Sequence, residues 1–185
     1  MLKRTQFRQR LILLFGFLMI SGFVQVWAQE EEESKDVKQY REDYDRYQKA
    51  IAFQDSMKRA DALFQFMKDR PDSKVIDHAQ MGYLQVVESL AKAEKFPVVI
   101  TQCERLIKLR PRAGQAYYFY GAALKNVGRV PEAMNALAKC TLIKNTASQS
   151  AEQFLEFVYK SQNQGSLIGL EKLKKTAQED LNKQQ

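Results

Sequence analysis

Few residues in this chain of 185 are of a type that does chemistry. It holds one histidine, His78, and two cysteines, Cys103 and Cys140. A Ser-His-Asp or Cys-His nucleophile would have to use His78 as its base. That residue sits beside Asp77 in a helical stretch, far in sequence from both cysteines, so a structural histidine at or near the surface is expected. A phosphate-binding loop needs a glycine-rich turn running into Lys-Ser or Lys-Thr. Gly114, Gly121 and Gly128 are spaced by sevens and precede neither. Carboxylates are plentiful, yet none is marked as one of a working acid–base pair. One histidine and two cysteines exclude zinc ribbons and multi-histidine metal sites. The expectation is a protein that is not an enzyme, with no catalytic residues, no metal and no cofactor.

Composition narrows the elements that remain. Glycine and proline together supply 12 residues, about half their usual share, which argues against a turn-rich β-sandwich. With 45% hydrophobic and 11% aromatic residues the chain can bury a core. Lys3, Arg4, Arg8 and Arg10 precede an apolar stretch from Leu11 to Val24, and Val26-Trp27-Ala28 has the small final residue of a cleavage site. Residues 1–28 therefore read as a signal peptide cut after Ala28, with an uncleaved anchor as the alternative. The expected location is the bacterial periplasm or the extracellular space. Without its four basic leader residues the chain's charge falls from +7 to +3, too balanced to suggest nucleic acid as a partner. Membrane contact is expected only if the leader stays uncleaved. Residues 29–36, with the acidic run Glu30 to Glu33, read as a disordered tether.

From Asp36 onward apolar residues recur at three- and four-residue spacing, the period of amphipathic helices. Breaks fall at Gln54-Asp55, Arg70-Pro71-Asp72, Phe96-Pro97, Arg110-Pro111, Gly128 to Pro131, Asn145 to Ser148 and Asn163 to Ser166. Each offers a proline, glycine or capping residue able to end one helix and begin the next. The prediction is all-α: eight helices of about 12–18 residues in antiparallel hairpins, with no sheet.

The helices also recur. Pro97 and Pro131 each open a helix, where a missing N–H is harmless. Tyr83 and Tyr117 are separated by the same interval as the two prolines, and so are Leu90 and Leu124. That shared interval, about 34 residues, is the period of a repeating pair of helices. From Gly114 to Asn145 the pattern is Tyr117, Tyr120, Gly121 and Leu124 on a first helix, Gly128 at the turn, then Ala133, Leu137 and Cys140 on a second. Small residues at Gly121 and Ala133 let two helices approach closely while the aromatic and leucine side chains fill the gaps beside them. This unit resembles the tetratricopeptide repeat.

The preceding unit is in register through Tyr83, Val86, Val87, Leu90, Val99, Cys103, Leu106 and Pro111. Val87 occupies the small-residue place, so its hairpin should be more open. Degenerate units surround these two, giving a helical repeat domain over 37–183 with units at about 37–71, 74–111, 114–145 and 148–183. The resemblance implies an antiparallel helix-hairpin solenoid of about four units. A plain helical bundle is the competing reading, and it would not supply the recurrence. In the solenoid both cysteines lie on apolar faces of consecutive second helices. Buried free thiols are expected there, with a disulfide as the alternative.

The resemblance further implies that a protein or peptide partner is held on a concave face lined by first helices. The candidate liners are Leu84, Glu88 and Lys92 in the second unit. In the third they are Gln115, Tyr118, Ala122, Lys125 and Asn126, and in the fourth Glu152 and Glu156. Tyr118 stands out, because an aromatic there would be exposed unless it covered a partner. The expected role is an exported scaffold in envelope assembly, division, pilus or secretion machinery. An alternative draws on residues 101–145, which carry eight basic side chains against two acidic ones. Such a block attracts a polyanion or a membrane surface.

Overall fold

Local sequence signals account for where each helix begins and ends. The computed structural model describes residues 34–183, which form eight helices and, among the described residues, no strand. In order they are α1 (Lys35–Ile51), α2 (Ser56–Asp69), α3 (Ile76–Lys92), α4 (Phe96–Leu109), α5 (Gly114–Asn126), α6 (Val130–Leu142), α7 (Ser148–Gln162) and α8 (Leu170–Asn182). The chain divides at Arg41/Glu42 into two units, and the helix packing, the core and the grooves belong to the larger one. The proposed leader, its cleavage after Ala28 and residues 29–33 of the tether lie outside the described residues, while Lys35 and Asp36 belong to α1.

Asp55 caps α2, its Oδ1 accepting from the Lys58 N–H at 2.8 Å, which satisfies one of the free donors of the first turn. Pro97 and Pro131 fall in the first turns of α4 and α6. Each helix from α1 to α7 carries a lysine in its last turn, where a cation meets the negative end of the helix dipole.

The connections between helices repeat in hydrogen-bonding detail. After α3, the Lys95 N–H donates to the Leu90 carbonyl at 3.0 Å and the Glu94 N–H to Ala91 at 3.0 Å. After α5, the Arg129 N–H donates to Leu124 at 2.9 Å and the Gly128 N–H to Lys125 at 3.1 Å. Arg70-Pro71 and Arg110-Pro111 end α2 and α4 in a second shared turn. The Arg70 N–H bonds to Phe66 and the Arg110 N–H to Leu106, and each arginine carbonyl then accepts from the residue three further on. Lacking a proline, the turn after α6 is organised by Asn145, whose Nδ2 donates to the carbonyls of Ile143 at 2.6 Å and Cys140 at 3.0 Å.

Every helix from α2 to α6 packs on its successor, α5 and α6 most extensively and α3 and α4 much less. Helices two apart also touch: α3 with α5, α5 with α7, and α6 with α8. The two hairpins differ at one place in the register. Gly121 lets α5 approach α6 so closely that a Cβ there would lie 2.8 Å from Leu137 Cγ and 3.1 Å from the Ala133 carbonyl oxygen. At the corresponding place on α3 stands Val87, a larger side chain that is fully buried, and there the two helices pack less on each other. The core is continuous from Leu63 and Met67 through Tyr83, Leu106, Leu124 and Leu137 to Leu155. Relative to α5, α3 is longer, 17 residues against 13, which absorbs the extra length between the first two units. Val75 lies just before that helix, at its N-cap position.

Candidate functional site

The residues expected to line a first-helix face divide into exposed, half-buried and buried. Glu88 and Lys92 on α3 form an i,i+4 ion pair at 2.7 Å. Two units later on α7, Glu156 and Lys160 form the same pair at 3.7 Å. Between them on α5, Ala122 and Asn126 take those places, and Asn126 Nδ2 donates to the Ala122 carbonyl at 2.9 Å. Lys125 and Asn126 are exposed, while Gln115 and Ala122 are half-buried.

Three candidates are placed differently from the expectation. Leu84 is only 4% exposed and packs into the core, so it offers no side chain to a partner. Glu152 accepts from Lys174 Nζ of α8 at 2.6 Å and so ties the terminal helix to α7. Burial pulls the Lys174 ammonium pKa down, and the Glu152 and Glu171 carboxylates more than offset this, leaving it raised. Tyr118 is half-buried rather than fully exposed, with its ring edge-on to Phe119 at 5.7 Å. One exposed residue outside the expected set shares its register. Met81 precedes Gln115 by the repeat interval and is 53% exposed, so extending the register by one position would have found it.

A second concavity lies between α4, α5 and α6. A groove of about 510 Å³ is bounded by Glu104, Ile107 and Lys108 of α4, Tyr117 and Tyr120 of α5, and Lys139 of α6. It shares Tyr117, Tyr120 and Lys139 with a neighbouring groove that reaches Asp180 of α8. Tyr120 donates to Glu104 Oε1 at 2.9 Å, and burial together with that carboxylate pushes its pKa up to about 12. Lys139 Nζ sits 5.9 Å from the centre of the Tyr117 ring and 3.7 Å from Asp180 Oδ2.

One interval earlier the corresponding place is filled. Arg105, the counterpart of Lys139 in that register, stacks 4.3 Å above the Phe64 ring, bonds Asp61 at 2.7 Å and reaches Gln102 Oε1 at 3.2 Å. The buried Tyr83 hydroxyl meets that same Gln102 oxygen at 2.5 Å, and burial holds its pKa well above the usual tyrosine value. Sequence periodicity marked Tyr83 and Tyr117 as packing positions. It gave no sign that a guanidinium would plug one site and a lysine leave the next open, because that depends on the reach of Arg105 to α2.

The other reactive groups are dispersed. His78 is exposed, with its ring edge-on to Tyr47 at 6.3 Å. Both cysteines are free and buried. Burial raises both thiol pKa values, that of Cys140 to about 11. Among the described residues no group of three or more His, Cys, Asp or Glu side chains could hold a metal ion, and no helix is long and apolar enough to cross a membrane. The basic block is half neutralised: Arg105, Arg110, Arg129 and Lys139 pair with Asp61, Asp77, Glu132 and Asp180. Among the described residues Lys108, Arg112, Lys125 and Lys144 are exposed and make no ion pair. No protein-family model, no curated protein and no solved structure matches this chain.

Proposed function

We propose that this chain is an exported adaptor, a tetratricopeptide-like helical solenoid that holds a partner protein or peptide on the face formed by α3, α5 and α7. The observation that carries this reading is the coincidence of one interval at several levels. Pro97 and Pro131 open helices, Tyr83 and Tyr117 are buried, and Glu94 and Gly128 share a left-handed backbone turn. A bundle selected only for burial would have no reason to repeat its turns as well as its core. In stacked repeats the first helices line a continuous surface, which suits an extended or helical ligand. On this surface Met81 and Tyr118 provide apolar area, and the Glu88–Lys92 and Glu156–Lys160 pairs provide a polar rim. The signal-peptide reading of residues 1–28 puts the partner in the cell envelope, among assembly, division, pilus or secretion components.

The test is capture of envelope proteins by tagged residues 29–185, compared with a Met81→Asp, Tyr118→Ala variant shown by circular dichroism to stay helical. One dominant protein held by the first and lost by the second supports the face. Equal capture by both rejects it. A second reading, binding of a polyanion or membrane surface, rests on the four unpaired cations Lys108, Arg112, Lys125 and Lys144. It requires affinity that falls steeply with salt, because each neutralised phosphate or sulfate releases a counterion. Binding through Met81 and Tyr118 should respond weakly to salt.

A further inference from the structure

The turn that joins α7 to α8 carries the most exposed large apolar side chain among the described residues. Ile168 is 89% exposed, and its neighbour Leu167 is 39% exposed. Residues 163–169 include no charged side chain. The turn is fixed by hydrogen bonds of its own. Tyr159 of α7 donates its hydroxyl to the Ile168 carbonyl at 2.7 Å, and the Ile168 N–H donates to Ser166 Oγ at 3.1 Å. The Leu170 N–H donates to the Leu167 carbonyl at 3.1 Å. Three of the four backbone polar groups of Leu167 and Ile168 therefore have partners inside the protein. Gly165 and Gly169, with φ of 86° and 95°, let the chain bend on either side of this tip. Just beyond it on α8, Lys172 and Lys175 are exposed and, among the described residues, make no ion pair. The carboxylate between the tip and those lysines, Glu171, pairs with Lys174 at 3.4 Å.

We propose that this tip docks on the surface of an anionic lipid bilayer, Leu167 and Ile168 entering the interface while Lys172 and Lys175 meet lipid phosphates. Entry into lipid strips water from the backbone, and an N–H or C=O left unbonded there is costly. The internal hydrogen bonds at Leu167 and Ile168 remove most of that cost before contact is made. A protein partner can supply hydrogen bonds to a turn, whereas hydrocarbon cannot, so a backbone already satisfied favours lipid. Binding of this kind scales with the apolar area inserted plus attraction to anionic headgroups. The lysines supply that attraction, which acts within a Debye length and which a neutral bilayer lacks. These residues are distinct from Met81 and Tyr118 and from the cations of the basic block, so the tip can fail without either earlier reading.

Sedimentation with vesicles tests this on residues 29–185, which contain every described helix and omit the apolar stretch Leu11 to Val24. Those residues hold no tryptophan, since the chain's single one is Trp27, so Ile168→Trp places a lone indole reporter at the tip. Vesicles of phosphatidylcholine mixed with phosphatidylglycerol should bind the unaltered protein and shift the Ile168→Trp emission to shorter wavelength. Pure phosphatidylcholine should bind at least about tenfold more weakly. Ile168→Ser should weaken binding to the anionic vesicles at least about tenfold. Lys172→Gln, Lys175→Gln should cost at least about tenfold, a loss that shrinks in high salt. Both variants change exposed groups only and should leave circular dichroism unchanged. No vesicle binding, equal binding to neutral vesicles, or affinity indifferent to Ile168→Ser would overturn the proposal. Loss through Lys108→Gln, Lys125→Gln alone would move the contact to the basic block and overturn it too. So would emission shifted by soluble envelope proteins but not by vesicles, which would give the tip to a protein partner.

Discussion

Glu94 and Gly128, separated by the same interval as Pro97 and Pro131, hold the same left-handed backbone conformation, with φ of 56° and 82°. Each closes its turn by donating to a carbonyl three residues back, so the loop fixes the conformation whatever side chain is present. Glycine adopts this region freely, whereas an L side chain crowds the following carbonyl. Glu94→Gly should therefore stabilise the protein, by about 0.5–1 kcal/mol after allowing for the larger entropy of glycine in the unfolded chain. Gly128→Ala should destabilise it by about 1 kcal/mol, although a Cβ there would meet no atom within 4 Å. Urea unfolding measures both, and a loss of stability in Glu94→Gly would contradict the account.

Gly121 makes the opposite argument, because the strain there would come from neighbours rather than from the backbone. A methyl group at this position would meet Leu137 Cγ at 2.8 Å and the Ala133 carbonyl oxygen at 3.1 Å. Leu137 has room to change rotamer only within a fully buried core, and the carbonyl belongs to a helix that cannot yield alone. Gly121→Ala should lower stability by about 1–3 kcal/mol. An unchanged urea midpoint would mean that α5 and α6 are not so close in solution.

Helix count, helix breaks and core positions were readable because they depend on local signals: apolar spacing, Pro97 and Pro131 at helix starts, and Asp55 as a cap. The looser packing of α3 on α4 was also foreseeable from Val87, where the third unit has Gly121. The surface was much less legible. Leu84 and Tyr118 are in register with each other, yet one is buried and the other half-exposed. Their burial depends on what packs from the adjacent helices, which spacing along one helix does not encode. The open groove beside Lys139 arises from contacts between residues far apart in the chain. A sequence pattern can suggest such equivalence but cannot measure reach.

The cluster around Tyr83 should behave as a coupled unit. Gln102 Oε1 receives both the Tyr83 hydroxyl and Arg105 Nη1, and the same guanidinium is held by Asp61 and the Phe64 ring. Tyr83→Phe removes one donor from a fully buried site and should lower stability by about 1–2 kcal/mol. Arg105→Met removes the cation while keeping much of the packing. A double-mutant cycle on the pair should give a coupling energy of at least about 0.5 kcal/mol, because both singles disturb the same glutamine oxygen. Strict additivity would show that the two groups act independently.

Stability should also fall at alkaline pH, with the buried thiols contributing. Burial raises Cys140 from 9.0 to about 11 and Cys103 further, the Asn145 amide drawing Cys140 back only in part. Between those two values the unfolded chain has released the Cys140 proton while the native state retains it. The native state then binds more protons, so the free energy of unfolding decreases as pH rises, and the stabilisation present below pH 9 is lost through about pH 11. Cys140→Ala will weaken the protein at every pH by leaving a cavity, so the slope is the quantity to compare. Urea unfolding at intervals from about pH 8 to pH 11 should give a slope shallower in Cys140→Ala by up to about 1 kcal/mol per pH unit. The same burial keeps the thiols from a disulfide reagent at pH 8, so labelling should follow global opening and accelerate with urea in step with unfolding. Rapid labelling of the native protein, together with an unchanged slope, would mean that Cys140 is solvated and that the end of α6 is open.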